Sequence, residues 1–118
     1  MKMVLNPVKF VNAQALTGNF NSSAINVLQS DVVDIQCNYT GSPSGTLTIQ
    51  GSLDGVNYAA IPFQSGTSVV TSLTLPTATS PILVNIINAG LKFVRISYTF
   101  TSGSGSMDAY ISYRRTGE

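Results

Sequence analysis

Val33-Asp34-Ile35-Gln36-Cys37-Asn38-Tyr39 decides the fold. Apolar side chains alternate strictly with polar ones. Successive side chains of an extended chain point to opposite faces, so Val33, Ile35, Cys37 and Tyr39 share one face and Asp34, Gln36 and Asn38 the other. That is the signature of a half-buried strand. The pattern resumes at Leu47, Ile49 and Leu53, again at Val69, Thr71, Leu73 and Leu75 before Pro76, and again at Val94, Ile96, Tyr98 and Phe100. It closes with Met107, Ala109, Ile111 and Tyr113. Ile82–Ile87 is a nearly continuous apolar run, the pattern of a strand covered on both faces or switching between them. No stretch keeps a helical period for three turns.

Between these segments lie residues with turn chemistry. Asp54-Gly55 has the composition of a two-residue type I′ hairpin, which sets Leu53 opposite Val56 and Gly51 opposite Tyr58. Tyr58 would then cover the bare Gly51 backbone, and Pro62 keeps the second strand at an edge. Gly41-Ser42-Pro43-Ser44-Gly45, Asn88-Ala89-Gly90 and Thr101-Ser102-Gly103-Ser104-Gly105 read as further turns. The stretches Tyr39–Leu47 and Tyr98–Met107 resemble each other, each running from Tyr-Thr through a Ser/Gly segment into a strand. Val8–Leu16 reads as a strand and Gly18–Ser23 as a loop. Turns every 8 to 12 residues predict an all-β antiparallel sandwich of seven to eight short strands, with a small barrel as the alternative. The 118 residues make one domain, with residues 1–7 an N-terminal arm that orders against a neighbour.

Composition narrows the function. Charged residues make up only 9% of the chain, against about 25% in an average domain. A surface of Ser, Thr, Asn and Gln suits a subunit that docks on other proteins, and suits a ligand-binding face equally well. Net charge is +1; without a clustered basic surface, nucleic acid is not expected. No apolar run is long enough to span a membrane as a helix. Met1–Pro7 lacks the apolar core of a secretory signal, so the sequons at Asn21 and Asn38 carry little weight and a reducing cytoplasm is expected.

Catalytic chemistry is sparse. Histidine is absent, which removes the commonest general base and the usual zinc ligand. Cys37 is single, so it has no intrachain disulfide partner and reads as a buried, inert thiol. The carboxylates Asp31, Asp34, Asp54, Asp108 and Glu118 form no catalytic pair by position; Asp54 is accounted for by its turn. Gly103 and Gly105 precede no helix that would complete a phosphate loop. A non-enzymatic protein without metal or cofactor is expected. Tyr58 and Tyr110, with Asn57 beside the first, are the candidate stacking residues for a carbohydrate, whereas Tyr98 and Tyr113 read as core.

Thr48–Tyr58, Phe93–Thr99 and Ser102–Ser106 together resemble small structural proteins of tailed bacteriophages. There a G-S-x-D-G hairpin precedes a V-R-I/L-x-Y-T strand and an S-G-S/T-G turn. The resemblance covers about residues 33–114 and departs mainly in its short end after Arg114-Arg115; the first 30 residues have no counterpart. It implies a β-sandwich virion component assembled in the host cytoplasm, such as a capsid decoration protein or a head or tail attachment module. Its partners would be capsid or other virion proteins, in a homo-oligomer or symmetric lattice. Docking would use an arm carrying Met3, Val4 and Leu5 or an open sheet edge, with Asn57, Tyr58 and Tyr110 as further contacts. A carbohydrate- or cell-surface-binding module is the alternative.

Overall fold

The computed structural model describes residues 7–76, 81–86 and 90–114. Among them all regular structure is β and all pairing antiparallel. Ten strands follow one another: β1 Val8–Ala15, β2 Phe20–Asn21, β3 Ile25–Asn26, β4 Val32–Ser52, β5 Ala59–Ala60, β6 Phe63–Ser65, β7 Ser68–Val70, β8 Leu73–Leu75, β9 Ile82–Ile86 and β10 Phe93–Arg114.

The expected set of short strands is replaced by a ribbon of two long ones. β4 has 21 residues and β10 has 22, and they pair from Val32↔Arg114 to Ser52↔Phe93. The segments Gly41–Gly45 and Thr101–Gly105 are therefore not turns. They face each other as the waist of the ribbon, with Gly41 opposite Gly105 and Pro43 opposite Gly103. The two similar stretches are antiparallel partners, Tyr39 pairing with Met107 at one side of the waist and Tyr98 with Leu47 at the other.

The ribbon cannot be straight. Twenty-one extended residues would reach about 70 Å, whereas the molecule's longest dimension is 46 Å. The chain supplies a tighter limit. Asn26 pairs with Phe93 at one end of the ribbon, and Val32 pairs with Arg114 at the other. The five residues between Asn26 and Val32 span at most about 20 Å. The ribbon therefore doubles back at its waist into two layers. Gly41 and Gly103 take φ values of +85° and +84° there, a conformation glycine adopts without steric cost.

Each half of the ribbon gains its own edge strands. In the first layer the order is β1-β10-β4-β9-β6-β7. In the second, β2 and β3 flank β10 while β8 and β5 flank β4. Residues 8–27 thus follow β10 through both layers, crossing the waist where the Leu16 amide donates to the Gly105 carbonyl at 2.8 Å. The stretch read as loop at 18–23 contains β2. Val69–Leu75 is not one strand: β7 pairs with β6 in the first layer and β8 with β4 in the second. A sequence that alternates smoothly can still break when its two halves find partners in different layers. The sheet does not close, so the barrel alternative falls.

Between the layers lies one core. On β4 the inward residues keep the same parity throughout, from Val33, Ile35 and Cys37 to Leu47 and Ile49. On β10 the parity changes from Val94, Ile96 and Tyr98 to Met107, Ala109 and Ile111. The change coincides with a bulge between Phe100 and Ser102, since one extra residue turns every later side chain over. With no helix among the described residues, the inward face of each layer is sealed by the other. Burial pushes the Cys37 thiol up to about 12, which leaves it without reactive thiolate near neutral pH. β9 buries Ile82, Val84 and Ile86 but exposes Leu83, so it is covered on one face only. The proposed turn at Asn88-Ala89 and the arm residues 1–6 lie outside the described residues.

Candidate functional site

The far end of the second layer carries a loop between β4 and β5 that is ordered by its own side chains. It is not the expected two-residue hairpin. Gly51 pairs with Ala59 instead of Tyr58, and Leu53–Tyr58 form a six-residue loop. The Ser52 hydroxyl, buried, accepts from the amides of Asp54 (3.2 Å) and Gly55 (2.9 Å) and donates to Asp54 Oδ1 (2.8 Å). Asp54 Oδ1 accepts from the amides of Val56 and Asn57, both at 2.8 Å, and Asn57 Nδ2 donates to Asp54 Oδ2 at 2.9 Å. The Asn57 backbone amide, followed by that of Val56, the Asn57 side chain and the Ser52 hydroxyl, holds the Asp54 carboxyl well below the usual carboxylate range. Side-chain acceptors that satisfy two or three amides substitute for the missing hairpin bonds.

This organisation turns apolar side chains outward. Leu53 is 64% exposed and Val56 79%. On the other side of β10, the turn after β3 exposes Leu28 at 48%. The Val27 amide donates to the Lys92 carbonyl, and the Lys92 amide donates to the Ser52 carbonyl. Both apolar loops therefore border the same residue, at one tip of the molecule.

Tyr58 takes a different place from the one expected. The side chain that lies over Gly51 is Leu91, whose Cδ1 would sit 2.4 Å from a Cβ at that position. The Tyr58 ring instead carries the Arg95 guanidinium 3.9 Å from its centroid. Arg95 Nε also donates to Gln50 Oε1 at 2.8 Å. Asn57 and Tyr58 are thus brought together at the tip, with Arg95 and Gln50 as partners that single-chain spacing did not reveal.

Tyr110 is not part of this group. It lies on the outward face of the first layer, paired in register with Lys9 on one side and Gln36 on the other. Lys9 Nζ stands 5.7 Å from its ring centroid and 3.6 Å from Asp108 Oδ1. Met3, Val4 and Leu5 fall outside the described residues. Tyr98 is in the core as expected, stacked on Phe20 at 5.8 Å between centroids, whereas Tyr113 is only partly buried. Among the described residues, no three His, Cys, Asp or Glu side chains gather where they could hold a metal ion.

With this geometry established, comparison with solved structures gives one informative likeness. The chain is similar to the SPBc2 prophage-derived protein YomS, with a TM-score of 0.65 at 12% identity, over 95% of this chain and 100% of that one. The likeness is one of fold. No family model matches the sequence, and no curated protein matches it.

Proposed function

We propose that this chain is a non-enzymatic structural protein of a bacteriophage particle, which docks on an assembled protein surface through the tip formed by Leu28, Leu53 and Val56. The observation that carries the reading is the pairing of strong exposure with a rigid loop. Val56 and Leu53 project from a backbone held by Ser52 and Asp54, so burying them on a partner costs little further ordering. Exposed apolar groups grouped on one end of a weakly charged surface are the usual raw material of a protein interface. The whole-length fold likeness to a prophage-derived protein supports the phage context.

A capsid decoration protein, or a head or tail attachment component, suits this chemistry. Contacts repeated by symmetry bind the assembled lattice alone, and so stabilise it by linkage. In this reading the N-terminal arm with Met3, Val4 and Leu5 adds a second contact by strand addition.

The experiment is quantitative mass spectrometry of purified particles from a lysate in which this chain is expressed. The expected result is a fixed copy number per particle, reduced at least severalfold by Val56→Asp or Leu53→Asp with unchanged melting of the free protein. Absence of the chain from particles overturns the reading; normal occupancy of both variants overturns the tip as the contact.

A further inference from the structure

The outward face of the first layer carries an arrangement that particle docking does not use. Two adjoining hollows, of about 500 and 140 Å³, share Asp34 and Leu83 as lining residues. Across the smaller one runs a row fixed by register: Tyr110 pairs with Gln36, and Gln36 pairs with Leu83. An aromatic ring and a 61% exposed leucine thus flank a central amide. In the next outward row, about 7 Å along the strands, Asp34 stands between Ser112 and Asn85, and Gln64 pairs with Asn85 beyond.

The hydrogen bonds within this face are lopsided. Gln36 Nε2 donates to Asn38 Oδ1 (3.1 Å), Asn85 Nδ2 to Asp34 Oδ1 (2.6 Å), and Gln64 Nε2 to the Gly66 carbonyl (3.2 Å). All three side-chain amide groups therefore spend a donor inside the protein. Among the described residues, nothing donates a hydrogen bond to their carbonyl oxygens or to Asp34 Oδ2. A ligand complementary to such a face supplies donors, together with an apolar surface to lie on Tyr110 and Leu83. The carboxylate of Asp34 disfavours an anion. Two cations border this face. Lys9 is already engaged with Asp108 and the Tyr110 ring. Exposed Arg114 lies one row beyond Ser112 on the same side and offsets the charge of Asp34, so the face is close to neutral. Pyranose rings meet these demands, having hydroxyl donors at the edge and C–H groups on the face. Open sites with a few convergent polar groups beside apolar ones are the usual form of small-ligand sites.

We infer that this face binds a neutral saccharide, with Tyr110 and Leu83 as the platform and Asp34, Gln36 and Asn85 as the hydroxyl acceptors. The inference stands independently of the docking tip, which lies on the other layer. A saccharide site facing away from the docked tip would let a particle-bound copy touch a polysaccharide surface.

The test is an amide NMR titration of the full chain with a panel of glucose, galactose, mannose and N-acetylglucosamine oligosaccharides. The expected result is saturable shifts at Asp34, Gln36, Leu83, Asn85 and Tyr110 with at least one sugar. Affinity should fall tenfold or more in both Leu83→Ala and Asn85→Ala, and stay unchanged in Val56→Asp. No saturable shift with any member at roughly 10 mM, weaker than any specific site of use, overturns the inference. So do shifts confined to the tip, full affinity in both alanine variants, or shifts at this face that follow protein concentration instead of sugar, which would mark self-association.

Discussion

Gly103 lies so close beneath the carbonyl of Ser42 that a Cβ on it would stand 2.2 Å from that oxygen. Its φ of +84° is also one that side-chain-bearing residues rarely adopt. Both constraints follow from folding a two-stranded ribbon back on itself. Gly103→Ala should therefore destabilise by about 3 kcal/mol or more, combining left-handed strain with a backbone clash. Urea unfolding measures this directly. A loss under about 1 kcal/mol, within the range of an ordinary surface change, would mean that the waist is not the tight bend described.

Leu16 tests the path of the N-terminal segment. It is completely buried where residues 8–27 cross the waist. Leu16→Ala should cost about 2–5 kcal/mol through lost transfer energy and a residual cavity. Leu28→Ala, at the exposed tip, should change stability by less than about 0.5 kcal/mol. Equal effects of the two substitutions in thermal melts would contradict this arrangement.

Arg95 and Tyr58 are coupled across β4 by stacking rather than by charge. A double-mutant cycle with Arg95→Ala and Tyr58→Ala should give an interaction energy of about 0.5–1 kcal/mol. Gln50→Ala should weaken that coupling, because the Gln50 oxygen fixes the guanidinium over the ring. Additive single substitutions would show that the stack does not persist in solution.

Asp54 makes the tip loop acid-sensitive. Its carboxyl titrates below the ordinary value of 3.8 because the charged form accepts several hydrogen bonds. The linked stabilisation is complete above that ordinary value. It declines as pH falls below 3.8 and is lost once the folded-state carboxyl itself takes up a proton. Hydrogen exchange at the Val56 and Asn57 amides, corrected for intrinsic rates, should lose protection over that acidic range in the native protein. Asp54→Asn should lack this pH dependence. Identical profiles for the two proteins would remove Asp54 as the organiser of the loop.

Some of this was legible in the chain and some was not. Alternation along each long strand identified most of its inward residues, including Cys37 on β4 and Tyr98 and Ile111 on β10, because the period of two is a local property of an extended backbone. Tyr113, at the end of β10, is only partly buried. The role of Asp54 as a loop former was legible too, as short polar side chains bond their own neighbouring amides. Arg95 as the partner of Tyr58 was not. Its contact depends on the pairing of Arg95 with Gln50, residues far apart in sequence, and no local pattern encodes that register. Leu53 looked like another inward position; it is turned outward because the strand ends one residue earlier, at Ser52.

The sequence by itself determined that the chain is all-β and antiparallel, which side chains of the two long strands face the core for the most part, and that the chain carries few charges. These are consequences of side-chain polarity at spacing two. Tertiary structure alone decided what the Gly/Ser/Pro segments do. Gly41–Gly45 and Thr101–Gly105 have the composition of turns, yet each finds the other as a partner and continues a strand through a bend. A glycine-rich stretch permits either outcome at similar local cost, so the choice falls to pairing between residues some sixty positions apart.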